Sequence, residues 1–188
     1  KDKPNFLKFA AISSLIFALQ MMNFPILNGT SGHFLGTTLA VTLLGTPFGI
    51  LSIVAVLTLQ SLIFADGGIM ALGANIVNMC LVGAIPGFLL NLLFKKRGYK
   101  SKLVNYAILF LASFVSIVIA SIACSVELGL SGTNSFGKVL SAMVGVHSIV
   151  GIFEGAITVV FYIILQKFEA KDNNLFTFLL PFFMAIFV

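Results

Sequence analysis

FAAISSLIFALQMMNFPILNGTSGHFLGTTLAVTLLGTPFGILSIVAVLTLQSLIFA, residues 9–65, contains no Asp, Glu, Lys or Arg. A hydrocarbon core of about 30 Å is crossed by roughly 20 apolar residues in a helix. The run is therefore long enough for two or three crossings, and far too long for the apolar core of one signal peptide. A second charge-free run covers 67–94. Eleven Lys and Arg and six Asp and Glu are all that 188 residues carry, with 59% hydrophobic residues and a mean hydropathy of +1.11. Soluble domains carry about 25% charged residues, against 9% here. A water-soluble domain and a disordered chain are both excluded, which leaves a membrane protein.

Gly, Pro, Asn and charged clusters divide the apolar runs. They predict an all-α integral membrane protein with about six transmembrane helices, near 9–24, 33–44, 48–64, 71–94, 103–128 and 138–166. Transmembrane strands would alternate apolar and polar residues, whereas these runs are apolar on every side, as lipid-spanning helices are. The membrane-embedded domain is expected over 1–174, and 175–188 reads as the start of an additional C-terminal helix. The chain opens on Lys1 and closes inside an apolar run, so both ends are expected to be cut or processed.

With six crossings, Lys1, Lys3 and Lys8, the cluster Lys95, Lys96, Arg97, Lys100 and Lys102, and Lys167 and Lys171 fall on one side. Positive charge marks the cytoplasmic side, and only Lys138 lies opposite. The net charge of +5 is thus a topology signal that calls for no nucleic acid. The expected location is the cell (inner) membrane, as a multi-pass protein. The loops 28–32, 65–68 and 131–136 then share the outer face, and bring His33 and Asp66 to one level.

His33 follows Gly-Thr-Ser-Gly. Imidazole is a common ligand of late first-row divalent metals, and a helix-capping or loop role is the alternative. Asp66-Gly67-Gly68 reads as a turn with a capping carboxylate. Asn75 and Asn78, three apart, share a helix face and are expected to hydrogen-bond inside the bundle. His147 and Glu154, seven apart, lie on one face of the sixth span, with Glu127 near the outer end of the fifth. Ionisable groups at membrane depth are functional candidates or helix-locking pairs. Cys80 and Cys124 read as small buried hydrophobes. No nucleotide-binding loop, zinc-protease pattern or nucleophile elbow occurs, so an enzyme is not indicated.

Gln20-Met21-Met22-Asn23-Phe24-Pro25, Gly29-Thr30-Ser31-Gly32-His33-Phe34-Leu35-Gly36, Phe64-Ala65-Asp66-Gly67-Gly68-Ile69-Met70-Ala71-Leu72-Gly73-Ala74-Asn75-Ile76-Val77-Asn78-Met79, Leu130-Ser131-Gly132-Thr133 and Met143-Val144-Gly145-Val146-His147-Ser148-Ile149-Val150-Gly151-Ile152 occur in that order. Together with Glu127-Leu128 this ordered set resembles the cobalt/nickel energy-coupling-factor (ECF) transporter substrate-binding subunits of the CbiM/NikM type, over about 10–170. The resemblance implies a subunit that captures divalent cobalt from outside the cell, with nickel as the alternative cargo. A vitamin-binding subunit of the same transporter class and an intramembrane enzyme are the remaining alternatives. It implies as partners a transmembrane coupling subunit, a cytoplasmic ATPase pair and a small accessory membrane subunit, beside the lipid bilayer. It also implies a nitrogen site for Co(II) or Ni(II), made by an N-terminal Met-His on one further helix upstream and by the loop histidine, here His33. The Met-His pair has no counterpart in these 188 residues. Asp66, Asn75 and Asn78 match motif positions and would orient the loops around the metal. His147, Glu154 and Glu127 would serve passage or helix locking.

Overall fold

The computed structural model describes residues 6–26, 30–97, 101–132 and 135–170. Lys1, Lys3, Lys100 and Lys171, the loop positions Asn28, Gly29, Thr133 and Asn134, and the expected helix at 175–188 lie outside them. The helices are α1 (Phe6–Gln20), α2 (Thr37–Leu44), α3 (Thr46–Ile63), α4 (Leu72–Asn75), α5 (Ala84–Arg97), α6 (Lys102–Leu130) and α7 (Phe136–Ala170). A 3-10 turn, Ile69–Ala71, leads into α4, and a π-helical segment, Ile76–Val82, joins α4 to α5. The all-helical membrane architecture expected from the charge-free runs is what forms. Among the described residues, four candidate spans are long and apolar enough to cross a membrane: Thr46–Ile63, Ile69–Phe94, Lys102–Leu130 and Phe136–Lys167.

The first two helices are shorter than expected. α1 ends at Gln20, and α2 starts at Thr37 and has only 8 residues. Between them the backbone forms a β-hairpin, β1 (Asn23–Ile26) against β2 (Thr30–His33). The strands are antiparallel, with Asn23 opposite His33 and Ile26 opposite Thr30. Pro25 stops α1 from continuing through 23–24, because a residue before proline is pushed out of the helical region. Gly36 (φ +71°) and Gly45 (φ +82°) bound α2 in backbone conformations that other residues avoid. His33 therefore closes a strand and does not open a helix.

Three apolar clusters hold the bundle among the described residues, the smallest of them Val139 and Met143 of α7 against Cys124 and Leu128 of α6. Ile12, Ile16, Ile53, Leu57, Cys80 and Ile117 join α1, α3, the π segment and α6. Leu15, Leu39, Leu90, Leu109 and Leu165 join α1, α2, α5, α6 and α7. α6 and α7 run antiparallel, as contacts in opposite order show: a Cβ on Gly151 would meet Ile117 and Phe114, and one on Gly155 would meet Phe110. Lys102 and Lys167 thus lie at one end of this pair and Lys138 at the other, in keeping with the charge pattern. Outward positions such as Leu51, Leu62, Ile149, Phe153 and Val160 are large, apolar and exposed, as lipid-facing residues are. Several hydroxyls in the helices turn back on their own turn: Ser14 donates to the Ala10 carbonyl and Ser148 to that of Val144. That leaves no hydroxyl hydrogen facing hydrocarbon at these positions.

Candidate metal site

At the end of the bundle marked by the hairpin, His33, Asp66, Gly67, Asn75, Gln20, Gln60 and Ser61, with Leu57 and Leu72, line a cavity of about 20 Å³. One water-sized guest needs roughly 10–15 Å³ of such space, so the cavity fits a single small guest. The lining residues are drawn from several elements. β2 carries His33. α1 ends on Gln20, whose Nε2 donates to the Leu35 carbonyl at 2.6 Å. α3 carries Gln60 and Ser61 in its last turn. Its end is capped by Phe64 and Asp66, whose backbone N–H groups both donate to the Gln60 carbonyl at 3.1 Å. The chain then reverses through Ala65 (φ 54°), Gly67 (φ 70°) and Gly68 (φ 69°). A left-handed alanine costs about 1–2 kcal/mol, and here it sits next to Asp66.

Two buried atoms on this wall have no partner among the described residues: Gln20 Oε1 and Gln60 Nε2. One is an acceptor and the other a donor. His33 is half-buried, and its Nδ1 lies 3.2 Å from the Phe34 carbonyl. If Nδ1 carries the ring proton and donates it there, Nε2 is left with its lone pair. That is how a metal-binding imidazole is commonly oriented.

Burial pushes the His33 imidazole below its ordinary value of 6.5. The Phe34 carbonyl and the Asp66 carboxylate pull it the other way, less strongly. His147 also lies within electrostatic range of His33. Between the folded-state value and 6.5 the unfolded chain binds more protons than the folded one. The contribution of His33 to stability therefore falls as pH drops below about 6.5. In the metal-free subunit its ring is expected to titrate below 6.5 by imidazole NMR, and a midpoint at or above 6.5 would contradict this geometry.

The remaining candidates separate. Asn75 borders the cavity, whereas Asn78 donates from Nδ2 to Glu127 Oε2 on α6 at 2.8 Å. The π segment, which begins just after Asn75 and contains Asn78, explains the split. Its wider turn breaks the three-residue register that would place both side chains on one face. The segment and the residue after it leave carbonyls that side chains of other helices reach: Thr37 donates to Met79 at 2.8 Å and Ser116 to Gly83 at 2.6 Å. His147 Nδ1 lies 2.7 Å from the Met143 carbonyl one turn back. Glu154 is fully buried and takes two backbone amides, Leu35 N–H at 2.9 Å and Gly36 N–H at 3.0 Å. Glu154 and His147 share a helix, yet they serve different neighbours. Among the described residues, no three His, Cys, Asp or Glu side chains converge closely enough to hold a metal ion by themselves.

Sequence reasoning did not single out Gln20 or Gln60 as site residues. Both carried a usable signal, since an uncharged polar group within an apolar helix needs a partner. A larger cavity of about 400 Å³ lies between α1, Phe34 and α7, and is lined by apolar residues except for Glu154.

The family model for the cobalt uptake substrate-specific transmembrane region, CbiM, matches residues 1–171. The chain belongs to the CbiM family. An Archaeoglobus fulgidus protein named as a putative fused nickel transport protein, NikMN, is 41% identical over 170 residues, covering 88% of this chain and 56% of its own length. This chain thus spans little more than half of that relative. The cobalt transport protein CbiM of Ruminiclostridium cellulolyticum is 31% identical over 179 residues, covering 91% of this chain and 70% of its own. A crystal structure of a truncated transition metal transporter matches with a TM-score of 0.78 at 30% identity, over 88% of this chain and 82% of that one. Membership of the CbiM family and four candidate spans make this a multi-pass membrane protein. The names carried by its relatives are those of transport proteins, not of enzymes.

Proposed function

We propose that this chain is the substrate-capturing subunit of an ATP-driven ECF-type importer, that it takes divalent cobalt from outside the cell, and that His33 is a ligand of the ion. The observation that carries the reading is the setting of His33 at the end of a hairpin. It faces a cavity sized for one small guest, with a free amide oxygen, a carboxylate and a carboxamide around it. Organic cofactors need pockets of about 300–1,000 Å³ with convergent polar groups. The larger cavity beside α7 has the volume but is almost wholly apolar, which favours an ion over a vitamin. Nickel is the second reading, supported by the nickel name of the 41% identical relative.

Asp66 and Asn75 orient the loops beside the ion. Asn78 and Glu127 lock the π segment to α6, and His147 serves passage or helix locking. His33 supplies one ligand, and the other nitrogen donors are expected on an upstream Met-His terminus. A bare dication cannot cross lipid unaided, so release inward is driven by ATP hydrolysis in the partner subunits: the coupling protein and the ATPase pair, with a small accessory membrane subunit. Calorimetric titration of the full-length subunit with Co²⁺ and Ni²⁺ tests the reading. Saturable 1:1 binding of one of them, unaffected by vitamins, is expected. Absence of binding to either metal would refute it.

A further inference from the structure

Glu154 has no part in holding the ion if His33 and an upstream terminus supply the ligands. It is also more than a polar residue locking two helices. Its carboxylate is completely buried, and each oxygen takes a different amide of one dipeptide: Oε2 accepts from Leu35 N–H at 2.9 Å and Oε1 from Gly36 N–H at 3.0 Å. The same dipeptide is gripped by α1 as well, where Gln20 Nε2 donates to the Leu35 carbonyl at 2.6 Å. Gly36 is confined too. Its φ is +71°, and a Cβ there would lie 2.9 Å from Ile16. The backbone at 35–36 is thus fixed by both α1 and α7.

Only Phe34 separates this clamp from His33. One residue spans at most about 3.6 Å, so a displacement of the clamp reaches the imidazole nearly undiminished. Glu154 stands on α7, 13 residues before Lys167 near the opposite end of the helix. That distance is about 20 Å along the axis.

We propose that Glu154 is a positioning residue for the metal ligand His33, tying the ligand-bearing strand to α7 so that movement of α7 moves the ligand. The proposal rests on His33 being a ligand. The chemistry calls for a carboxylate at this position. Two adjacent N–H donors need two acceptors, and an ionised carboxylate offers acceptors only. A glutamine would turn an NH₂ group towards one of the amides.

The test uses the full-length subunit in lipid nanodiscs, titrated with Co²⁺. Wild type, His33→Ala, Glu154→Gln and Glu154→Asp are compared by calorimetry, by the visible absorption of bound Co²⁺, and by amide hydrogen exchange without metal. Partners beyond the ligand shell are worth about 10–100-fold in metal affinity. Glu154→Gln is expected to weaken binding in that range, to shift the Co²⁺ spectrum and to speed exchange at Leu35 and Gly36. Glu154→Asp keeps the charge but is one methylene shorter, so it should fall between Gln and wild type; it also carries the test if Gln fails to fold. Wild-type affinity or wild-type exchange in a folded Glu154 variant overturns the proposal alone, provided that His33→Ala abolishes binding. Unchanged affinity in His33→Ala overturns the ligand reading and the proposal with it.

Discussion

Full-length subunit carrying His33→Ala is expected to lose about a hundredfold or more in affinity for its metal while melting as the wild type does. The first half follows from the ligand role, since partners outside the ligand shell alone account for about 10–100-fold. The second half follows from the structure. The His33 side chain is half-buried, and its ring is held by a 3.2 Å contact with the neighbouring Phe34 carbonyl. Removing it should cost below about 1 kcal/mol of stability. Calorimetry and a thermal melt on the same preparation separate the two effects. A variant that binds as tightly as the wild type would remove His33 from the site. One that neither binds nor folds would make it a structural residue.

Gly49→Val is expected to prevent folding. A Cβ on Gly49 would lie 2.6 Å from both Cα and N of Val41, on the backbone of α2. Side chains can swing away from such a clash, but backbone cannot. Nor can α2 retreat. A Cβ on Gly87 of α5 would already lie 3.1 Å from Val41 Cγ1, and Asn91 Nδ2 donates to the Val41 carbonyl at 2.9 Å. Thr37 at the start of α2 is held by the Met79 carbonyl. Overpacking costs about 1–3 kcal/mol where neighbours can move, and more is expected here. The readout is the yield of monodisperse protein and its melting temperature, with Gly145→Ala as a control at a position where a Cβ meets nothing within 4 Å. Wild-type melting of Gly49→Val would show that α2 and α3 are not packed this closely.

Residues 9–65 and 67–94 were enough to foresee a helical membrane protein, because a folded chain facing water cannot go so far without charge. The antiparallel pair α6 and α7 was equally legible. The hairpin was not. Asn23–Ile26 and Thr30–His33 are four residues each, contain Pro25 and Gly32, and show no alternation, so they read as the end of one helix, a loop and the start of the next. The π segment left no periodic trace either, and Asn75 and Asn78 looked like one face until the wider turn parted them. His33 and Asp66 were found through their residue types and topology. The partners of Glu154 could not be found that way. They are backbone amides, which every residue but proline possesses, and only the folded chain shows which ones it meets.

The lengths of α6 and α7 have a bearing on the lipid. At 29 and 35 residues they measure about 44 and 52 Å, against a hydrocarbon thickness of about 30 Å. α3, at 18 residues, is about 27 Å. One subunit therefore presents short and long helices to the same bilayer. The short ones draw the membrane thin, while the long pair must lean or stand clear of it. Glu154 hangs the Leu35–Gly36 backbone on α7, so on the proposed role of His33 the lean of α7 and the grip on the ion are linked. Membrane thickness then becomes a variable of the proposed metal capture alongside pH and concentration.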